Sequence, residues 1–346
     1  MNLTQIAAAC LLTYSQKMAA AYGVADVSKH FAVTGPMETK LKGALLESVE
    51  FLKLINVMDV DQIKGQVVKV GNFALATGRK NGSRFITKNG VSGDGYELAE
   101  TDSCSAVEWN TLAVWANAGT ANQFMQLMSQ NATMRFALDM LRVGFNGTSV
   151  AEDTDPEANP NGEDINKGWH KIVTDVAPDQ IMTDPIYYNP DATGELKPGE
   201  YKTLDAIVTE LKNTLIHPAL RNDPRLVVLV GSDLTSVAQT KMMNKADKPT
   251  EKVAAAEMDK TIGGLKAYTP PFFPGKRIVV TMLSNLHLYT QRGTRMRKSE
   301  NVEDRKQHED KYWRMEGYAI EEFEAYAAVD EAAMNIGPAP EPEPAP

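Results

Sequence analysis

Between Asp61 and Asn110 the chain offers four short strand candidates, VVKV, FALA, RFIT and SAVEW, but few large apolar side chains. They are separated by Asn81-Gly82, Asn89-Gly90 and Gly93-Asp94-Gly95, which is turn chemistry suited to positive φ. Such a stretch cannot build its own core. A long hairpin of this kind is marginal alone and must lie against something else. Two supports satisfy the pattern equally: a twisted sheet within the same chain, or a neighbouring subunit on which the hairpin rests as an assembly arm.

The core must therefore come from other segments, and the 346 residues are enough for one large core or two. From Ala121 to Phe145, Phe124, Leu127, Met128, Met134, Leu138, Leu141 and Val143 fall at mostly helical spacing, ended by Gly144 and Asn146-Gly147. This predicts a long helix, the spine of a domain, with its methionines filling gaps in the core. An α/β unit follows. Thr203 caps a helix carrying Leu204, Ile207, Val208, Leu211 and Leu215 on one face, LVVLV (Leu226 to Val230) reads as a buried strand, and Gly231-Ser232-Asp233 turns into another helix. RIVVTML (Arg277 to Leu283) and LHLYTQ (Leu286 to Gln291) are further strands. Near the N-terminus, Leu3, Ile6, Cys10, Tyr14 and Met18 describe an amphipathic helix, and a second helix spans about Met37 to Ile55 after the Gly35-Pro36 turn. The GPAPEPEPAP tail from Gly337 is polyproline-like and is expected to be disordered.

Composition narrows the function. A net charge of -9 argues against a protein whose main task is wrapping phosphate. Cys10 and Cys104 have no pairing signature, which points to buried free thiols in a reducing cytosol. The apolar run Ile6 to Tyr14 lacks the preceding cation of a secretory signal, its first being Lys17. No run approaches the length of a membrane span.

Several motifs imitate chemistry without completing it. In AEDTDPEANPNGED (Ala151 to Asp164), counting from Glu157 satisfies the first, third, fifth and sixth places of an EF-hand. The twelfth is Gly168 where a bidentate Glu is required, so an acidic, Pro-punctuated surface loop is the better reading. GTRMRKS (Gly293 to Ser299) puts Lys298 where a P-loop needs its second Gly, leaving a solvated basic turn. VGSDL around Ser232 lacks a nucleophile elbow, and His30, His170, His217, His287 and His308 show no ligand spacing. Arg292, Arg295, Arg297 and Lys298 could meet phosphates. Because EDRKQHEDKYWR (Glu303 to Arg314) mixes both signs, a charged subunit interface or solvated face fits better. No catalytic, cofactor-binding or metal-binding residue emerges, and no cofactor is expected.

RVGFNGTSVAEDTDPEANPNGEDINKGW (Arg142 to Trp169) resembles the segment that joins the spine helix to the next domain in major capsid proteins of tailed bacteriophages of the peduovirus, or P-two-like, group. DVSKHF, LLESVEFLKLINVMDVDQIKG (Leu45 to Gly65), LAVWA (Leu112 to Ala116), LVVLVGSDL (Leu226 to Leu234) and the region from ENVEDR to AYAAVD resemble family segments in the same order. The resemblance spans nearly all of Val24 to Asp330.

It implies an α+β Hong Kong 97-type capsid fold with an N-terminal arm, an extended β-hairpin loop, a peripheral domain on a long spine helix, and an axial domain with a central sheet. The implied division is 1–31 an N-terminal helical segment removed on maturation, 32–60 the arm, 61–110 the hairpin loop, 111–155 the peripheral domain and 156–285 the axial domain. Residues 286–325 return to the peripheral domain, 326–336 end the axial domain, and 337–346 form the tail. A phage prohead protease would cut between Phe31 and Ala32. The arm and hairpin would lie over neighbouring subunits, and the alternating oxygens of residues 151–164 would form turns and side-chain caps. The implied function is non-enzymatic: self-assembly as hexamers and pentamers into the icosahedral head shell around double-stranded DNA. Implied partners are the chain itself, a scaffold protein, the protease, the portal protein and packaged DNA held non-specifically, with no membrane. Assembly would occur in the bacterial host cytoplasm and the product would be the virion. The competing class is a cytosolic α/β enzyme or ligand-binding protein with its pocket at Leu226 to Leu234.

Overall fold

Gln307–Ile320, the longest strand among the described residues, is the axis of the first of two units in the computed structural model, which describes residues 3–67, 77–79, 81–82, 95–245 and 261–341. This unit gathers Met1–Gly65, Tyr96–Lys167 and His287–Tyr318. Its sheet runs Phe31–Ala32, Met296–Val302, Gln307–Ile320, Leu286–Gln291, Asn56–Val60, and Ala99–Glu108 also pairs with the long strand. Because side chains alternate along a strand, His308, Asp310, Tyr312, Arg314, Glu316 and Tyr318 share one face, and all six are buried. A mixed-sign sequence that read as a solvated face or subunit interface is thus interior, because two helices cover it and its charges find partners within the unit.

The spine helix is Ala121–Asn146. Thr120 caps it in a reciprocal arrangement with Gln123. Phe124, Met128, Ala132, Phe136 and Met140 form its buried stripe, and Phe136 meets Tyr312 with ring centroids 5.7 Å apart. Leu127 and Met134, expected in the core, are exposed, since the i, i+4 stripe turns them to its flank. The N-terminal helix, Gln5–Tyr22, packs beside the spine and buries Ala7, Leu11, Tyr14 and Met18. Its buried face is rotated from the expected one, leaving Ile6 exposed.

The expected second helix is two, Pro36–Ser48 and Glu50–Leu54, broken at Val49, whose backbone is extended. Gly35 supplies the left-handed backbone before it at φ 55°, and Pro36 occupies the first turn, where no amide is missed. Leu41, Leu45, Phe51 and Leu52 are buried. Ser48 donates to the Thr133 carbonyl at 3.4 Å, and Phe51 meets Phe145 at 5.8 Å. In this chain the arm rests on its own spine helix.

Of the glycine-rich stretch, Lys64–Gln66 pairs with Gly95–Glu97, and SAVEW supplies the end of Ala99–Glu108 and the start of the helix Trp109–Asn117. FALA, RFIT and VVKV beyond Val67 lie outside the described residues.

The second unit contains Gly168–Leu286 and the chain from Ala319 onward. Its mixed sheet runs Thr261–Ile262, Leu265–Tyr268, Leu226–Val230, Ile278–Met282, Ala327–Val329, Ile181–Met182. Leu226–Val230 and Ile278–Met282 are antiparallel and buried along their whole length. The helix Leu204–Thr214 buries Leu204, Ile207, Val208 and Leu211 in the same core, and its Thr203 hydroxyl accepts from the Ala206 amide as expected. The tail, expected to be loose from Gly337, is held as far as Ala339: Gly337 donates to the Tyr188 carbonyl, and Lys197 donates to that of Ala339. Residues 342–346 lie outside the described residues.

Candidate functional site

The bond between Phe31 and Ala32 lies in the shortest strand of the first sheet, at its edge. Phe31 pairs with Arg297 and Ala32 with Met296, and the Val33 amide continues the ladder to the Arg295 carbonyl at 2.9 Å. Upstream, the Val27 carbonyl accepts from the Ser299 amide at 2.8 Å, and exposed His30 packs at a tilt against Trp313 with centroids 4.6 Å apart.

The N-terminal helix covers the charged end of the long strand. Tyr14 Oη donates to Asp310 Oδ2 at 3.3 Å and its ring meets His308 edge-on at 5.9 Å. Arg297 Nη1 donates to Tyr22 Oη at 2.9 Å, while its other nitrogen faces Asp310 at 3.9 Å. Burial raises the Tyr14 hydroxyl well above its ordinary pKa, and the Asp310 carboxylate adds to this, so the phenol stays a donor. Burial disfavours charge on Arg297, but the Tyr22 and Asp310 oxygens outweigh it and keep the guanidinium protonated. Burial pushes His308 down, and Ser299 Oγ lies 3.0 Å from its Nε2.

Further along the same face, Arg314 pairs with Glu316 and donates to Ser103 at 2.9 Å. Tyr318 donates to the Met140 carbonyl of the spine at 2.8 Å. The opposite face carries Lys311 between Glu300 at 3.0 Å and Glu309 at 2.9 Å.

Arg295 corrects the expectation of a solvated basic turn. It is 3% exposed and pairs with both Glu38 of the arm helix and Asp59 of the arm strand, with Lys42 3.1 Å from Asp59. Burial would raise the Asp59 carboxyl, but Arg295 and then Lys42 outweigh it and hold it below the usual range. Arg297 is equally interior, and Lys298 pairs with Glu300 at 2.6 Å. Only Arg292 of this cluster is largely exposed, 3.4 Å from Asp61. Hydropathy could not have found this node, because its carboxylates come from residues more than two hundred positions away.

The acidic loop spends its oxygens on its own backbone. Asp155 Oδ1 accepts from the amides of Glu157 and Ala158, Asp164 Oδ2 accepts from the amide of Asp155 and the side chain of Asn159, and Glu163 accepts from Asn161. Gly162 turns with φ 74°. These are the turns and side-chain caps expected of the crossover. Among the described residues, no group of three or more His, Cys, Asp or Glu could hold a metal.

In the second unit, the place where an α/β enzyme opens a crevice, beyond the carboxyl end of a central strand, is filled by the chain's own backbone. Gly231 donates to the Arg277 carbonyl at 3.0 Å, Asp233 to that of Gly275 at 3.1 Å, and a side chain at Gly231 would strike the Gly275 carbonyl. His170, Tyr326 and Asp330 form a separate cluster, with Nδ1 3.2 Å from Tyr326 Oη and Nε2 3.3 Å from Asp330. Burial lowers the His170 pKa, whereas the hydrogen bond from His170 brings the Asp330 carboxyl down to about 2. The lowered His170 fits a neutral imidazole that accepts from the tyrosine and donates to the carboxylate. The cysteines differ from the expected buried pair: Cys10 is half-buried and Cys104 exposed, the latter's thiol pushed up by partial burial and by Glu309.

Comparison with known proteins places these features. The family described as "Phage major capsid protein, P2 family" matches residues 10–332. The "Capsid proteins" of Escherichia phage P2 are 32% identical over 276 residues, covering 76% of each chain. The "Major capsid protein" of Serratia phage KSP20 is 28% identical over 280 residues, 78% of this chain and 79% of the relative. Among solved structures, a chain of the satellite phage P4 procapsid that includes the size determination (Sid) protein is 27% identical with a TM-score of 0.73, over 93% of this chain and 98% of that one. The α+β architecture is thus the Hong Kong 97-type capsid fold, and the chain belongs to the P2 family of phage major capsid proteins.

Proposed function

We propose that this major capsid protein assembles as hexamers and pentamers into the icosahedral head shell that encloses phage double-stranded DNA, in the host cytoplasm and without catalysing a reaction. The family match across residues 10–332 carries this reading. A shell of identical chains gains its stability from many modest interfaces repeated around closed rings. In this reading the extended hairpin of residues 61–110 contacts neighbouring subunits, residues 111–155 with 286–325 form the peripheral domain, and 156–285 with 326–336 the axial domain. A scaffold protein and the portal guide assembly. A prohead protease removes residues 1–31 by cutting between Phe31 and Ala32. The net charge of -9 suits contact with packaged DNA that is non-specific and weak.

Expression of the full chain, alone and with the scaffold and protease of its phage, tests this by light scattering and negative-stain electron microscopy. Closed shells or capsomer rings are expected. Small soluble species in both preparations would remove assembly as the function. Intact mass of chains from mature particles tests the maturation step separately, and retention of Met1 to Phe31 there would reject it.

A further inference from the structure

Residues 4–33 are bound to the first unit along their whole length by contacts of different kinds. Lys17 donates to Asn122 of the spine helix at 3.1 Å. Tyr14 reaches Asp310, Tyr22 accepts from Arg297, the Val27 carbonyl accepts from Ser299, His30 packs against Trp313, and Phe31–Ala32 forms the sheet edge. Tyr22 also packs on Phe31 with centroids 5.1 Å apart, so the residue that holds Arg297 touches the residue before the bond in question. Phe31 is only 7% exposed. Proteolytic nicking concentrates at exposed, unpaired loop tips, whereas this bond, between buried Phe31 and exposed Ala32, is paired in a strand.

We propose that residues 4–33 act as a clamp, latched by Tyr22 on Arg297 and Tyr14 on Asp310, that shields the Phe31–Ala32 bond until the segment peels from the neighbouring strand Met296–Val302. The proposal deepens the maturation reading and takes from it only which bond matters. A protease that needs an extended, unpaired substrate acts on the open form alone. Where opening and closing are fast, the rate of cutting follows the population of that form. The latch therefore sets how often the bond becomes available, whichever protease is present. The Tyr22–Arg297 bond is charge-assisted and should dominate, while the 3.3 Å Tyr14–Asp310 contact should contribute less.

Chymotrypsin, which cuts after aromatic residues, probes the bond in the full-length protein without any phage enzyme. The product that begins at Ala32 is quantified by intact mass, with hydrogen exchange at the Ser299 and Val33 amides followed in parallel. Tyr22→Phe, which keeps the ring and removes the acceptor, is expected to speed both cutting and exchange by about ten-fold, and Tyr14→Phe by about three-fold. Exchange in the second unit's strand Leu226–Val230 should not change, which separates release of the clamp from loss of the fold. Should Tyr22→Phe prove unstable, Arg297→Lys, which shortens the reach to Tyr22, supplies the same comparison. Equal cutting rates in wild type and variants, or solvent-like exchange at Ser299 and Val33 in the wild type, would overturn the clamp. Faster cutting without faster exchange would also overturn it. These outcomes are independent of whether the segment is lost from mature particles, so the two readings can fail separately.

Discussion

Arg295 carries its charge into the interior and meets two carboxylates there, Glu38 and Asp59. Breaking such a buried group from one side leaves the remaining charges uncompensated and typically costs about 3–5 kcal/mol. Arg295→Met should therefore lower the urea midpoint strongly, because Glu38 would lose its guanidinium partner and Asp59 would keep only Lys42. A loss below about 1 kcal/mol would mean that solvent already screens the node, as at a surface ion pair. The His170 cluster makes a prediction about pH. His170 and Asp330 both titrate lower in the folded chain than in the unfolded one, so each contributes stability that is present above its unfolded pKa and lost as pH falls. The His170 part should fade below about pH 6.5, its unfolded value, and the Asp330 part between about pH 4 and pH 2. Asp330→Asn should flatten the acid limb of a stability-versus-pH curve, and an unchanged limb would remove Asp330 from the account. In the sequence Arg295 stood out only as part of a basic cluster and His170 only as one of five histidines without ligand spacing. A charge that will be paired and a charge that will be solvated have the same letter, and only the partner separates them.

The spine helix behaves as its pattern predicts because its signals are local. Thr120 and Gln123 are three residues apart, and the buried stripe repeats within the helix itself. Thr120→Ala should cost about 0.5–2 kcal/mol through the lost cap. Phe136→Ala, which empties the contact with Tyr312, should cost about 3–5 kcal/mol. Chemical denaturation separates the two. Equal losses would mean that the helix draws on its cap as much as on its packing. The long strand was legible only in part. Its mixture of charges could be read, but neither its strand nor that its charged face would lie beneath two helices, because burial of charge requires partners from Ser103, Tyr14 and Tyr22. The arm shows the opposite error. Its apolar spacing was read correctly as a helical face, yet as one helix where Val49 makes two.

At the scale of the whole molecule, the first unit is assembled from three separated stretches of chain, the last being His287–Tyr318. Its central strand is therefore contributed late, and the spine helix cannot complete its core until that strand is present. A chain truncated after Leu286 should lose exchange protection across the spine helix around Met128 to Met140, whereas full protection there would show that the helix is stable without its sheet. Long-range closure of this kind also favours slow folding. Elements whose signals repeat within a few residues were legible directly: the spine helix and its cap, the buried strand Leu226–Val230, the helix after Thr203, and the turns of the acidic loop. The family resemblance was equally legible, since it is carried by contiguous segments such as FNGTS and NKGW. Tertiary structure alone decided which face of the N-terminal helix is buried, that Arg295 and Arg297 are interior, and that the Phe31–Ala32 bond is paired at a sheet edge. The physical reason is range. Backbone geometry and periodicity act between near neighbours, while the carboxylates that pair with Arg295 and the hydroxyl that meets Arg297 come from residues more than two hundred positions away.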